Sequence, residues 1–263
     1  MHVALPFTAP DVPRRVLPAR FAGLLGLTLT MLSAVTGLHA AGPTDDAFDD
    51  FDDFAPVQVG ITPQMPGVGV LHGEAYVWVE RDQNQEARII DDYALTSRAC
   101  PPFCIQPMVV ADGVRTLGEL ETLEFMVRLG RNDTLLLVDA RSNAEYRDSA
   151  LPGAINVPWT DLVTAVGAVD FIIEERLDDF GVRLEQGSGD LIADARAADY
   201  SGAKTLVVYD NGPWCGQAPS KIRALLAMGY PAERIHWYRG GLQAWRGLGL
   251  TVIDPLAPPT ADR

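Results

Sequence analysis

An α/β fold, with a parallel sheet flanked by helices and a small β-rich unit ahead of it, is what this sequence predicts. Three observations carry that expectation. Apolar runs at 135–138, 205–209 and 235–238 read as short buried strands. Stretches with helical spacing lie between and after them, an alternation that builds a parallel sheet covered on both faces. Upstream, β-type runs are punctuated by Pro63, Pro66-Gly67 and Gly73, which mark turns. In parallel sheets of this kind ligands gather outside the carboxyl ends of the strands.

Along the chain, residues 1–41 have the order of a secretory signal. Arg14, Arg15 and Arg20 precede an apolar run from 21 to 38, which ends in the small residues Ala40-Ala41-Gly42. That run touches the lower limit of a membrane span, but its Gly and Thr content favours cleavage over retention. A periplasmic or secreted protein is expected, with an inner-membrane anchor facing the periplasm as the alternative. Residues 42–55 form an acidic linker. Six aspartates fall between 45 and 54, without the Gly turn and distal Glu of a calcium loop, and like-charge blocks stay solvated and disordered.

Residues 56–106 make up the β-rich unit, with strand-like runs at 57–59, 75–79 and 88–90. A hairpin pairing 76–80 with 86–91 across the polar turn Asp82-Gln83-Asn84-Gln85 is expected, with Tyr76 and Trp78 as packing residues on one face. Residues 107–255 form the main domain. It opens with an amphipathic helix over 116–129, whose apolar positions are Leu117, Leu120, Leu123 and Val127. Then come the strand at 135–138, a loop through Pro158, a helical pattern over 160–180, and a hairpin or exposed excursion over 181–202. The strand at 205–209, a helix from 222 to 228 and the strand at 235–238 follow, and 256–263 is a tail.

A net charge of -14 argues against nucleic acid and anionic membrane surfaces as partners, because phosphate binding needs a basic footprint. No cofactor motif is present. The three cysteines, Cys100, Cys104 and Cys215, have no histidine nearby to complete a metal site. In an oxidising compartment an odd count implies one pair and one free thiol. Cys100 and Cys104 can close a small disulfide around Pro101-Pro102-Phe103, either as a structural staple or as a pair that exchanges with Cys215.

Cys215 organises the chemistry. It follows a strand and precedes the loop Gly216-Gln217-Ala218-Pro219-Ser220 and a helix, so loop amides and a helix N-terminus are expected to lower its pKa. The bland alternative is a buried, inert cysteine. Pro219 suits the first helical turn, and Trp214 stands beside the thiol.

The surrounding motifs resemble the rhodanese-like (sulfurtransferase) superfamily. Leu135-Leu136-Leu137-Val138-Asp139-Ala140-Arg141 with Glu145-Tyr146 is similar to its VDxRxxxEY strand and turn. Leu151-Pro152-Gly153-Ala154-Ile155-Asn156-Val157-Pro158 is similar to IPGAxNIP, and Tyr238-Arg239-Gly240-Gly241 with Trp245 to the GGxxxW ending. More narrowly, Cys100-Pro101-Pro102-Phe103-Cys104 together with Trp214-Cys215-Gly216-Gln217 resembles an exported bacterial subgroup.

The resemblance implies a sulfurtransferase in which Cys215 becomes a persulfide, with no cofactor. Its partners are a small sulfur donor (thiosulfate, a persulfide or a polysulfide) and a thiol or protein acceptor. It places Trp214, Gly216, Gln217, Ala218, Pro219, Ser220 and Lys221 around the donor, with Asp139 and Arg141 as bracing residues. The loop lacks the Arg or Lys common in the family, so thiosulfate is a doubtful donor and Gln217→Arg is expected to improve its use. Lys221 stands where cysteine phosphatases keep an arginine, and an ammonium cannot reproduce that two-pronged phosphate grip. A binding module with little turnover and a thiol–disulfide exchanger are the competing readings.

Overall fold

The computed structural model describes residues 59–89, 92–184 and 198–256. The signal segment, the acidic linker, the run at 57–58, the excursion at 185–197 and the end of the tail lie outside the described residues.

The central sheet has five parallel strands: β3 (Arg115–Leu117), β4 (Leu135–Asp139), β5 (Ala154–Asn156), β8 (Thr205–Tyr209) and β9 (Ile235–Tyr238), in the order β3-β9-β8-β4-β5. Its middle strand, β8, is almost entirely apolar because it is covered on both faces. Successive side chains of a strand point to opposite faces, and the two cores follow that period. Leu206, Val208, Val138 and Trp237 enter one core with Ile222, Leu225 and Phe180. Val207, Tyr209, Leu137 and Tyr238 enter the other with Leu123, Met126, Leu242 and Trp245. The first core is covered by α3 (Asp170–Asp179) and α4 (Gln217–Ala227), the second by α1 (Glu119–Met126) and α5 (Gly241–Gly247). Each fully buried large side chain contributes roughly 1.5–3 kcal/mol.

The antiparallel unit ahead of the sheet is a hairpin of β1 (Gly67–His72) and β2 (Ala75–Glu80). Val70 and Val79 are buried in the second core. The expected hairpin partner at 86–91 is corrected: β2 pairs backward with the glycine-rich β1, and 86–89 forms no strand. Tyr76 and Trp78 do share one face, but they are 68% and 54% exposed and pack into neither core. Trp78 lies across Gly67, where a Cβ would come within 2.6 Å of its ring nitrogen, and Tyr76 lies beside Gly69. The rings cover glycine backbone that has no side chain of its own.

Two helices differ from expectation. Leu117 belongs to β3, and α1 starts only at Glu119, so Leu120 is exposed while Thr122, Leu123, Phe125 and Met126 face inward. The pattern over 160–180 splits into two short 3-10 turns, Trp159–Asp161 and Thr164–Val166, and α3. Gly167, with a φ of 105°, ends the second turn. The expected hairpin over 181–202 is seen at its ends, where β6 (Arg183–Leu184) pairs with β7 (Ala198–Asp199).

Candidate active site around Cys215

Cys215 lies beyond the carboxyl end of β8, 4% exposed and free of any disulfide. The helix behind it begins earlier than expected: α4 starts at Gln217, so Gln217, Ala218, Pro219 and Ser220 form its first turn and not a loop. Pro219 costs nothing there, since the first four helical N–H groups have no partner within the helix. Gly216, the N-cap, has no side chain to bond those groups. Asp210 replaces that missing cap from the other side of the turn. Its carboxylate accepts from Ala218 N at 2.8 Å and from Gly212 N at 3.1 Å.

The double glycine after β9 permits this close packing. Gly241, at a φ of 54°, brings the start of α5 so near that a Cβ would meet Asp210 O at 2.3 Å and Gly212 N at 2.6 Å. Leu242 N then donates to Asp210 O at 3.1 Å.

The Cys215 thiol donates to Gln217 Oε1 at 3.5 Å, and the backbone amides of Gln217 and Asn211 are the groups that favour its ionised form. The Asn211 amide nitrogen lies 3.9 Å from Sγ. The expected lowering of the thiol pKa is corrected. Burial pushes the Cys215 thiol up, the Asp210 charge adds to it, and the two amides offset only part. Burial likewise pushes Asp210 up to about 7, against its hydrogen bonds from Ala218, Gly212 and Cys215.

Glu145, at the start of α2 (Asn143–Asp148), ties the site together. It accepts from Asn211 Nδ2 at 2.6 Å and from Gln217 Nε2 at 3.2 Å. Burial raises it, but hydrogen bonds from Ser142, Asn211 and Gln217 outweigh that and hold it below the usual carboxylate range. An arginine at 217 would meet this carboxylate first, which removes the physical basis for the expected gain from Gln217→Arg.

Asp139 and Arg141, expected as bracing residues, pair with each other at the end of β4. Both are buried, Arg141 Nη2 is 2.6 Å from Asp139 Oδ2, and Arg141 also reaches Tyr93 Oη at 3.2 Å and Asn211 Oδ1 at 3.5 Å. Lys221 does not join the site. Its ammonium is fully buried in the first core, donates to Val157 O beside the Phe180 ring, and is pulled by burial down to about 7. The helical register that puts it six residues after Cys215 turns it to the core side of α4.

Trp214 donates from its ring nitrogen to Gln243 Oε1 and packs edge-on against Phe103 at 5.6 Å, with Arg98 stacked over it at 3.7 Å. Phe103 sits inside the loop closed by a Cys100–Cys104 disulfide. Gln106 N donates to Pro213 O at 2.8 Å, so the disulfide loop is pinned to the turn that carries Cys215. Denatured protein prepared without reductant should therefore titrate as one free thiol per chain. A count of three would exclude the disulfide. Sequence reasoning missed Asn211 and Glu145 at the site. The EY pair of the motif was the only signal for Glu145.

Residues 122–248 match the family model of the rhodanese-like domain. The chain carries a rhodanese-like domain. The matched stretch takes in Asp139, Arg141, Glu145, Asp210 and Cys215, while Cys100 and Cys104 lie outside it. An HTH-type transcriptional regulator of Mycobacterium tuberculosis is 24% identical over 147 residues, covering 56% of this chain and 50% of its own length. The chain thus spans half the length of that curated relative. Similar solved structures include the BH2092 protein of Bacillus halodurans, 18% identical over 54% of this chain and 78% of that one, with a TM-score of 0.35. The rhodanese-like domain of an Anabaena protein is 17% identical, covering 58% and 89%, with a TM-score of 0.33. The Saccharomyces cerevisiae single-domain sulfurtransferase RDL2 is 19% identical, covering 52% and 91%, with a TM-score of 0.32.

Proposed function

We propose that this rhodanese-like protein is an exported sulfurtransferase that carries sulfane sulfur as a persulfide on Cys215. One observation carries the reading: the single free cysteine lies beyond the carboxyl end of the central strand, just ahead of the N-terminus of α4, with the Asn211 side-chain nitrogen 3.9 Å from its sulfur. Attack by the Cys215 sulfur on a donor's outer sulfur, followed by delivery to a second nucleophile, is covalent catalysis in two half-reactions. The helix N-terminus and the Asn211 side-chain amide suit the anionic persulfide, because fixed dipoles stabilise charge without reorganising.

Charge around the site selects the donor. Two carboxylates, Asp210 and Glu145, belong to its hydrogen-bond network, while Lys221 points into the core and Arg141 is spent on Asp139. A divalent anion such as thiosulfate is therefore a poorer donor than a persulfide or polysulfide, and a thiol or protein thiol is the acceptor. Export rests on the basic–apolar–small order of the N-terminus, and the disulfide suits an oxidising compartment.

Intact-mass analysis after incubation with polysulfide, and separately with thiosulfate, tests this. Wild type should gain one sulfur atom from polysulfide and Cys215→Ser none, with slower loading from thiosulfate. No adduct from any donor would leave a binding module. A disulfide that moves to Cys215 would make the protein a thiol–disulfide exchanger instead.

A further inference from the structure

We propose that Glu145 is a positioning residue that sets the resting state of Cys215: by fixing which end of the Gln217 side-chain amide faces the sulfur, it holds the cysteine as a protonated thiol. The inference rests on the sulfur-transfer reading above for its purpose, and on the directions of the hydrogen bonds around Cys215 for its mechanism.

Those directions follow from what each group can do. A carboxylate only accepts hydrogen bonds, whereas a primary amide donates from its nitrogen and accepts at its oxygen. Glu145 Oε2 takes Gln217 Nε2 at 3.2 Å, so the nitrogen end of Gln217 is turned toward α2. The other end, Oε1, is left facing Cys215, and the thiol donates to it at 3.5 Å. Glu145 is itself held in place, because Ser142 N and Ser142 Oγ donate to the same Oε2 at 3.0 and 2.7 Å in the capping box of α2.

Asn211 is fixed the opposite way round. Its Nδ2 donates to Glu145 Oε1 at 2.6 Å, and its Oδ1 accepts from Tyr93 Oη at 2.8 Å and from Arg141 Nη1 at 3.5 Å. The nitrogen end therefore faces the sulfur, at 3.9 Å. One carboxylate thus presents Cys215 with an acceptor from α4 and a donor from the turn after β8. The donor suits the persulfide anion, and the acceptor suits only the thiol. If Cys215 ionises while Gln217 stays in place, a negative sulfur meets the Gln217 oxygen. If the amide turns over, its bond to Glu145 breaks and Oε1 is set against Oε2. Either way the thiolate lacks a hydrogen bond that the thiol keeps. A protonated thiol is a poor nucleophile and resists oxidation, which protects the one free cysteine of an exported chain.

Charged and titratable groups meet this network from the elements around it. Asp210, in the turn after β8, adds negative charge at Cys215. Arg141, paired with Asp139 after β4, and Tyr93, in the 3-10 turn Asp92–Ala94, hold Asn211. Arg246 of α5 lies over the Tyr93 ring at 5.1 Å, and Lys221 of α4 is turned into the core.

The test is the pH dependence of the ultraviolet thiolate absorbance of Cys215, read as the difference from Cys215→Ser, with polysulfide loading of the same samples followed by mass. Gln217→Met keeps the length of the side chain and removes its oxygen. Its thiolate step should lie below the wild-type step by about half to one pH unit, the equivalent of one hydrogen bond. Glu145→Ala frees the Gln217 amide to turn its nitrogen toward the sulfur, so its step should fall at least as far. In the Gln217→Met background the Glu145→Ala change should add little, because its effect runs through Gln217. Simple removal of a negative charge would lower the step equally in both backgrounds. Thermal unfolding checks the Glu145→Ala proteins, which lose the capping box, and Gln217→Met decides the matter alone if they do not fold. A Gln217→Met step at or above the wild-type one, or a Glu145→Ala shift of the same size with and without Gln217, overturns the proposal while leaving sulfur transfer intact. Steps shifted as expected in a protein that no donor can load support the restraint on the thiol and sink the sulfurtransferase reading instead.

Discussion

Arg141→Met should lower the unfolding free energy by about 3–5 kcal/mol, the cost of leaving a buried carboxylate without its partner. Asp139 is fully buried and receives Arg141 Nε at 3.0 Å, Arg141 Nη2 at 2.6 Å, Arg141 N at 2.9 Å and the Tyr209 hydroxyl at 2.8 Å. Arg141 also donates to the carbonyl of Ser149 and reaches Tyr93, so its loss strands several buried groups at once. The pair is strained by neither geometry nor competition: hydrogen bonding to Asp139 outweighs the burial that opposes the charged guanidinium. Asp139→Asn together with Arg141→Met should recover much of the loss, because replacing both ions is far cheaper than orphaning one. Urea unfolding of the three proteins measures this. A single-variant loss below about 1 kcal/mol, the scale of an exposed ion pair, would show that water reaches Asp139. Because Arg141 also contacts Asn211, the same variant should slow Cys215 loading.

The parallel sheet and the place of Cys215 were legible because they depend on local apolar runs. The 205–209 stretch has to be a strand buried on both faces, and its neighbours in the sheet announce themselves in the same way. The first hairpin was not legible for the opposite reason. Its β1 strand, GVGVLH, contains two glycines that give no side-chain alternation, and its turn is only Gly73-Glu74, so the longer polar turn at 82–85 drew the assignment. Leu117 and Leu120 have helical spacing, yet Gly118 between them ends a strand and starts a helix, which a periodicity count cannot see.

At the site, the position of Cys215 could be read from its strand–turn–helix setting, whereas its electrostatics could not. A helix N-terminus predicts a lowered thiol pKa, and that holds only if the amides are free to point at sulfur. Here Asp210 takes one of them, Ala218 N, along with Gly212 N of the turn, and adds a negative charge of its own. Glu145 is 66 residues before Asn211 in the chain, so its hydrogen bond exists only through the fold.

Lys221 is the clearest case of a residue whose role reverses between sequence and structure, and it yields the second large effect. Its folded pKa of about 7 lies well below the ordinary lysine value of about 10.4. The folded state thus binds this proton less tightly than the unfolded chain does. At and below about pH 7 the buried ammonium destabilises the protein by up to a few kcal/mol, and between about 7 and 10 that penalty is relieved as the unfolded chain gives up the same proton. Stability from this group therefore rises with pH. Lys221→Met keeps most of the side-chain volume beside Phe180 and removes the titration. It also forfeits the bond to Val157 O, worth about 1 kcal/mol. The variant should be more stable than wild type by about 1–3 kcal/mol at pH 7, and the advantage should shrink or reverse near pH 10. Paired urea unfolding curves at both pH values, compared as differences so that every other titrating group cancels, measure the effect. A variant that is less stable at pH 7, or one whose advantage is the same at both pH values, would show that the Lys221 ammonium keeps its charge with enough partners in the core to offset its burial.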